Sequence, residues 1–345
     1  MKILLLHEMS GVHTNLKFGL EKIGHEVDIA TYGDGWKQYP SGINIGRTGS
    51  DISAKFSRFW GNFSLIKLFS YYDVVQIISP DPFFPPISKV ILNALMGSSA
   101  KKVYIAAGSD AIYRKHVREL KYFPPHDWFK NTKKFQKLKD MLLQFDAVVP
   151  VCWEYKYCMN RADIKTTSVI PFPIIENEQV KRSSSNRIRV FHPINRPNHK
   201  FDFKGTEIIE SAFADLRDKY ESKADFISKG GLPYKEYLRE AAKADIIVDQ
   251  VYSYSYGMSA AIGLRQGQVV LSGREDDIKS ERFYAESPII NITPDKEDVK
   301  NRIAECLCDS FISDVGKQGF RFAAEHHDAA TVAKAYEALY LALIK

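Results

Sequence analysis

Short, wholly apolar runs alternate along this chain with longer stretches in which apolar residues recur every three or four positions. Ile3 to Leu6 is a continuous apolar run ended by His7 and Glu8, the pattern of a buried strand. Leu16 and Leu20 then share one face of a helix over 12–23, and Gly24-His25 turns the chain into a strand over 26–31. Further strands are predicted at 73–78, 102–106 and 146–151, with helical material between them and a short extended piece at 169–171. In the second half, strands are predicted at 187–194, 224–228, 245–250 and 268–272, again separated by helices. The clearest helix follows Gly205-Thr206, where Ile208, Ile209, Ala212, Phe213 and Leu216 recur at helical spacing. A last helix over about 329–344 carries Val332, Ala335, Tyr336, Leu339 and Leu343 on its apolar face. The repeated strand–helix–strand rhythm predicts an α/β fold of two doubly wound parallel sheets facing a cleft.

A polar stretch over 179–186 containing KRSSSN has the composition of a linker and divides the chain into 1–178 and 179–328. The length of 345 residues suits two domains of ordinary size. No run approaches the roughly 20 apolar residues that span a bilayer, and the first residues read as a strand, not a signal peptide. Cys152, Cys158, Cys306 and Cys308 fit neither a zinc nor a redox spacing, so reduced thiols in the cytoplasm are expected. His326-His327 reads as a helix cap or a surface pair. The net charge of +6 is concentrated: residues 114–139 hold nine Lys or Arg against Glu119 and Asp127. Such a patch suits an anionic substrate or anionic lipid, or is simply a solvated helical face. Nucleic acid is not expected, because no recognition helix, zinc finger or RNA-binding signature accompanies the charge.

Four loops at predicted strand ends could carry chemistry. Residues 8–13 include Ser10 and Gly11, where the backbone can approach a ligand at a helix start; a plain tight turn is the equal alternative. Residues 106–110 end in Gly108-Ser109-Asp110. Asp110 could bind sugar hydroxyls or act as a base, or merely cap the following helix. The third loop, 196–206, sets Arg196, His199, Lys200 and Lys204 before a helix opening at Gly205-Thr206, which together make an anion pocket or an ordinary basic loop. The fourth, 250–257, leads through Tyr254 and Gly257 into a helix over 258–265 built of small and apolar residues. Met258 and Ser259 in its first turn leave the N–H groups accessible, and Gly263 signals close packing. Two helix starts could thus converge on one diphosphate. The chain lacks a P-loop, GxGxxG, a GxSxG elbow and any Asp-x-Asp pair, which speaks against several common phosphate chemistries and against a carboxylate-held divalent metal.

In this order the segments GHEVDIAT, YDVVQIISP, GSD at 108–110, VIPFP, FKGTEII, AAKADIIVDQ, YGMSAAIGLRQGQVVLSG and the terminal HHD resemble the GT-B glycosyltransferases, in particular family 4, over nearly the whole chain. The resemblance implies two Rossmann-like domains, a donor in the second, an acceptor facing the first, and a last helix (329–345) that returns to the first. It implies transfer of a sugar from a UDP- or GDP-linked donor to a polysaccharide or lipid-linked glycan, retaining and without metal or other cofactor. Arg196 and Lys204 would neutralise the diphosphate, joined by Gly205, Gly257 and the amides of Met258 and Ser259. Gly230, Gly231 and Leu232 would hold the base, and Ser10 and Gly11 would approach the donor from the other domain. Two departures stand out: Tyr254 and Ile262 occupy places where the family usually has glutamates, and Ala107 one where it often has histidine. A catalytically silent relative that binds a glycan or partner, and a nucleotide-sugar epimerase, are the alternatives. The aromatic and cationic stretch 55–72 is either a core-facing helix or a membrane-facing one. In the latter case the protein attaches peripherally to the inner face of an anionic membrane.

Overall fold

The computed structural model describes residues 1–32, 42–125, 131–175, 187–194 and 203–345. The chain falls into two compact units. The first comprises 1–116, 129–175 and 329–345; the second comprises 117–128 and 176–328. Residues 117–128, inside the range expected for the first domain, thus group with the second unit. The expected linker, 179–186, lies outside the described residues.

The first unit begins with β1 (Lys2–Leu6), α1 (Val12–Lys22), β2 (Glu26–Thr31), β3 (Ile43–Asn44) and α2 (Ile52–Leu68). It continues with β4 (Val74–Ile77), α3 (Ser88–Gly97), β5 (Lys101–Ala106), α4 (Ala111–His116), α5 (Thr132–Leu142), β6 (Ala147–Pro150) and α6 (Trp153–Arg161). Its six strands lie in the order β3-β2-β1-β4-β5-β6, every pairing parallel. The strand order reverses between β1 and β4, and in such sheets ligands bind beyond the strand carboxyl ends at that point. The inner strands are apolar on both faces, with Ile3 to Leu6 and Val103 to Ala106 fully buried, as a sheet covered by helices on both sides demands. The expected extended piece near 170 forms no strand but follows β6, the Ile170 N–H bonding to the Pro150 carbonyl.

The second unit contains β7 (Ile188–Ile194), α7 (Thr206–Lys219), β8 (Ala224–Gly230), α8 (Tyr234–Ala241), β9 (Ile246–Val248) and α9 (Met258–Arg265). After these come β10 (Val269–Ser272), α10 (Arg282–Ala285), β11 (Ile290–Asn291), α11 (Lys296–Cys306) and α12 (Asp309–His326). The strand order β11-β10-β9-β7-β8, all parallel, reverses between β7 and β9. Ile209, Ala212, Phe213 and Leu216 of α7 are buried in its core, the face that their spacing predicts. The fold is therefore α/β with two Rossmann-like parallel sheets.

One device recurs at the amino ends of the strands. Asp73, Asp146 and Asp245 each turn the carboxylate onto the backbone N–H of a neighbouring strand, at Lys2, Lys102 and Arg189, at 2.7–2.8 Å. Each satisfies an amide at the sheet's end that would otherwise lack a partner.

The last helix, α13 (Ala329–Ile344), belongs to the first unit. Its buried positions are Ala329, Val332, Ala333, Tyr336 and Tyr340; Ala335, expected on that face, is exposed. The face is rotated because α13 lies against Gly19 of α1, where any side chain would strike the Ala329 backbone. A buried polar chain fastens it. The Tyr340 hydroxyl donates to Gln76 at 2.6 Å, the Gln76 amide meets His13 Nε2 at 3.3 Å, and His13 Nδ1 donates to the His7 carbonyl at 2.7 Å. His327, expected as a cap or surface residue, is the C-cap of α12 yet fully buried, with Nε2 2.9 Å from the Tyr256 hydroxyl.

Burial lowers the pKa of His13 from its ordinary value to about 3 and lowers that of His7 as well. Both rings stay neutral in the folded chain while the unfolded chain protonates them near 6.5. Their contribution to stability is complete above pH 6.5 and is lost as pH falls, for His13 toward about 3. Chemical denaturation across pH 4–6.5 should show stability falling with acid, and His13→Gln should remove about 1.4 kcal/mol per pH unit from that slope. An unchanged acid limb in the variant would refute the assignment.

Candidate functional site

The second sheet reverses order between β7 and β9, and residues that follow those strands build a buried polar cluster there. Lys204 follows β7. Its Nζ lies 2.7 Å from Asp249 Oδ1, just past β9, and 3.3 Å from Ser259 Oγ in the first turn of α9. Asp249 is buried and Lys204 nearly so, the aspartate side chain 2% and the lysine side chain 11% exposed. Ser272 at the end of β10 donates to the other carboxylate oxygen at 3.3 Å. Tyr237 of α8 lies beside the cluster; burial raises its phenol above the usual range and the nearby Asp249 charge adds to the shift. A lysine and an aspartate this deeply withdrawn hold one another, since either alone would bear the cost of lost hydration.

The backbone around the pair is tightly fitted. Gly205 precedes α7 with φ +76°, and a side chain there would run into a Val251 methyl group and the Tyr252 ring. Only glycine satisfies both the left-handed conformation and the close approach. The Val251 N–H bonds to the Lys204 carbonyl at 2.9 Å, locking the two loops together. Beneath them, His192 on β7 spans from the Val248 carbonyl (Nδ1, 2.7 Å) to the Thr206 hydroxyl (Nε2, 3.0 Å). A carbonyl can only accept, so Nδ1 carries the proton and the Thr206 hydroxyl donates to Nε2.

Gly257 opens α9 with no side-chain cap, and a Cβ placed on it would meet nothing nearer than 3.8 Å. The Asp249 and Gln250 side chains lie 3.8 Å from that position, beside the positive end of the helix dipole. Behind its first residues α9 is buried from Ala260 to Arg265. A Cβ on Gly263 would crowd Val270 and Ile247 at 3.0 and 3.2 Å, which is the close packing that an interior glycine implies. Ile262 is part of that packed body and is buried.

The remaining candidates divide sharply. Gly231, with φ +69°, and Leu232 sit at the turn from β8 into α8, the strand end next to β7. Arg196, His199 and Lys200 lie outside the described residues. Tyr254 is buried and turned to structural use: its hydroxyl accepts the Lys121 backbone N–H at 2.9 Å, and its ring lies against Tyr122. Asp110 is a helix cap. One oxygen accepts the N–H groups of Ile112 and Tyr113 at 2.9 and 2.8 Å, and the other faces the Tyr104 hydroxyl at 3.3 Å. Burial raises its pKa to about 6. Ser10 and Gly11 both adopt positive φ at the start of α1. The anion position there is already filled by Glu8, whose carboxylate accepts the N–H groups of Gly11 and Thr14 at 2.8 and 2.7 Å.

Asp249, His192 and Tyr237 were not singled out from the sequence. The available signal for Asp249 was an acid directly after the apolar run Ile246 to Val248, at a strand's carboxyl end.

No family model and no curated protein matches the chain. Solved structures do. A sucrose-phosphate synthase from Thermosynechococcus elongatus superposes with a TM-score of 0.68 at 14% identity, covering 99% of each chain. Anabaena HepE, solved in complex with UDP and glucose, gives 0.66 at 12% identity over 99% of this chain and 100% of that one. A glycosyltransferase from Rickettsia africae gives 0.62 at 12% identity over 100% and 98%. Likeness at this level of identity establishes the fold, which is that of the GT-B glycosyltransferases.

Replacing Asp249 by Ala strands the Lys204 ammonium away from water and should cost about 3 kcal/mol in chemical denaturation. The double replacement Lys204→Met with Asp249→Leu should recover most of that loss. A single variant as stable as the parent would show that the pair does not hold the site.

Proposed function

We infer that the protein is a glycosyltransferase whose second unit binds a nucleotide-diphosphate sugar. The observation that carries this is the convergence of Lys204, Ser259 and the uncapped start of α9 at the point where the second sheet reverses order. A phosphate-bearing ligand is what such a place favours, because lysine supplies full charge and the helix start supplies aligned N–H dipoles. HepE, which shares the fold, was solved with UDP and with UDP-glucose, which supports a nucleotide sugar as the ligand here.

In sugar transfer the bond from the anomeric carbon to the leaving phosphate breaks, and negative charge grows on the diphosphate. Groups that meet that charge more strongly in the transition state than in the ground state accelerate the step. Lys204, Arg196 and the Met258 and Ser259 amides would serve that end without a metal ion, with Gly231 and Leu232 beside the base. Retention of configuration, and a polysaccharide or lipid-linked glycan as acceptor, belong to the same proposal. So does a cytoplasmic setting, in which the chain's free thiols persist. Asp110 is not assigned the chemistry, since both of its oxygens are engaged in capping and in the Tyr104 contact.

A second reading has its own support. Tyr254 is committed to the Lys121 amide and Ile262 to the core, so neither presents a polar group to a donor. A catalytically silent relative that binds the nucleotide sugar without transferring it would have these features.

Calorimetric titration with UDP and with GDP tests the binding site. Lys204→Ala and Arg196→Ala should each weaken the preferred nucleotide by roughly tenfold or more. Wild-type affinity in both variants would remove the site. Transfer from a radiolabelled donor into a membrane extract separates the two readings, since turnover excludes the silent one.

A further inference from the structure

A second concave place lies in the second unit, at the far end of α9 from Gly257. Helix α9 runs for eight residues, about 12 Å, and ends at Arg265. Gly267 then turns the chain with φ +72°. Helix α12 packs tightly against that turn: a Cβ on Gly316 would strike the Gly267 carbonyl, and one on Gly319 would lie 3.0 Å from Leu264. Beside this close approach the two elements enclose an open groove of about 310 Å³. That volume stands at the lower end of the range of clefts that hold small molecules.

Helical spacing gives the groove an apolar side and a cationic one. Ile312, Gly316 and Phe320 recur every four residues and form the apolar side with Gly267. Phe320 is held by Arg265, a buried guanidinium 4.7 Å from its ring centroid. Ser313, Lys317 and Arg321 follow at the same interval, one position further along, and supply a hydroxyl and two cations. Lys317 and Arg321 are exposed at the rim. Neither forms an ion pair or a side-chain hydrogen bond among the described residues, although α12 also carries Asp309, Asp314 and Glu325. By contrast, Lys229 and Lys243 each hold Glu240, and Lys296 and Lys300 each hold Asp215. Two uncommitted cations four residues apart favour a dianion, which lysine meets as a point charge and arginine as a planar fork. The apolar side fits a ring.

We propose that this groove binds a phosphate monoester, with its phosphate on Lys317 and Arg321 and its ring-sized body against Phe320, Ile312 and Gly267. The groove shares no residue with the nucleotide site and does not rest on the sugar-transfer reading. The test is equilibrium dialysis of the full chain against phenyl phosphate at low salt. Benzoate, with a single charge, should bind at least about tenfold more weakly than phenyl phosphate. Lys317→Ala with Arg321→Ala should weaken phenyl phosphate about tenfold or more. Both side chains are exposed, so thermal unfolding of that variant should match the parent, and lost binding is then not lost folding. Ser313→Phe fills the groove but keeps both cations, and it should weaken binding as much. Absence of phenyl phosphate binding at millimolar concentration would overturn the proposal, as would parental affinity in the Lys317→Ala, Arg321→Ala variant. Parental affinity in Ser313→Phe would reduce the effect to surface charge and overturn it too. Equal affinity for benzoate would overturn the phosphate assignment. Binding lost in Lys204→Ala and kept in the Lys317→Ala, Arg321→Ala variant would place the ligand in the nucleotide site instead.

Discussion

An ammonium group and a carboxylate withdrawn from water must find each other, and the mouth of the second sheet is organised by that requirement. Lys204 and Asp249 stand 45 residues apart and meet only because β7 and β9 are hydrogen-bonded neighbours. Their meeting sets the path of both loops. Gly205 has to be left-handed for the chain to pass Val251, the Val251 amide then closes on the Lys204 carbonyl, and His192 ties the start of α7 to the end of β9. Any ligand that the start of α9 attracts will meet an already oriented lysine, not a flexible surface cation.

Helix starts tell the four nominated loops apart. At α1 the Glu8 carboxylate occupies the anion position from within, and at α4 Asp110 does the same. Both loops in the first unit thus carry their own anion. At α7 and α9 glycine stands at the N-cap and no side chain caps either helix. Both of those starts belong to the loops flanking the reversal point of the second sheet. An internal carboxylate that caps a helix start competes with an incoming phosphate for the same N–H groups, so under the proposed function the uncapped starts of α7 and α9 are where a phosphate would bind.

What was legible in the sequence followed from periodicity. Strands buried on both faces read as apolar runs, and helices such as α7 read from one apolar stripe, because burial imposes those repeats locally. The two-residue strands β3 and β11 carry too few positions to show a period. In the candidate site, Lys204 and the glycines at 205 and 257 were legible from loop chemistry. Their partners were not, because Asp249 with Lys204, and Tyr254 with Lys121, are pairings set by tertiary structure. Asp110 was legible in both of its roles, and only the positions of the Ile112 and Tyr113 amides decide for the cap. The stretch 55–72 was legible as a helix facing either the core or outward, and both occur: Leu65 is buried while Ile52, Phe56, Trp60 and Phe63 face outward, since Gly61 and Ala54 bring the other side against the protein.

The charge balance of the site carries a further consequence. Lys204 and Asp249 together are neutral, so the pair by itself exerts little long-range pull on a diphosphate. Attraction has to come from the start of α9 and from cations beyond the pair, of which Arg196, His199 and Lys200 precede Lys204 in sequence. Under the proposed function Lys204 would act at short range, its position fixed beside Ser259, as charge grows on a phosphate oxygen. A neutral, preorganised pair suits that task better than a lone lysine. In that role a lysine already held in place would need little reorganisation as the leaving group forms.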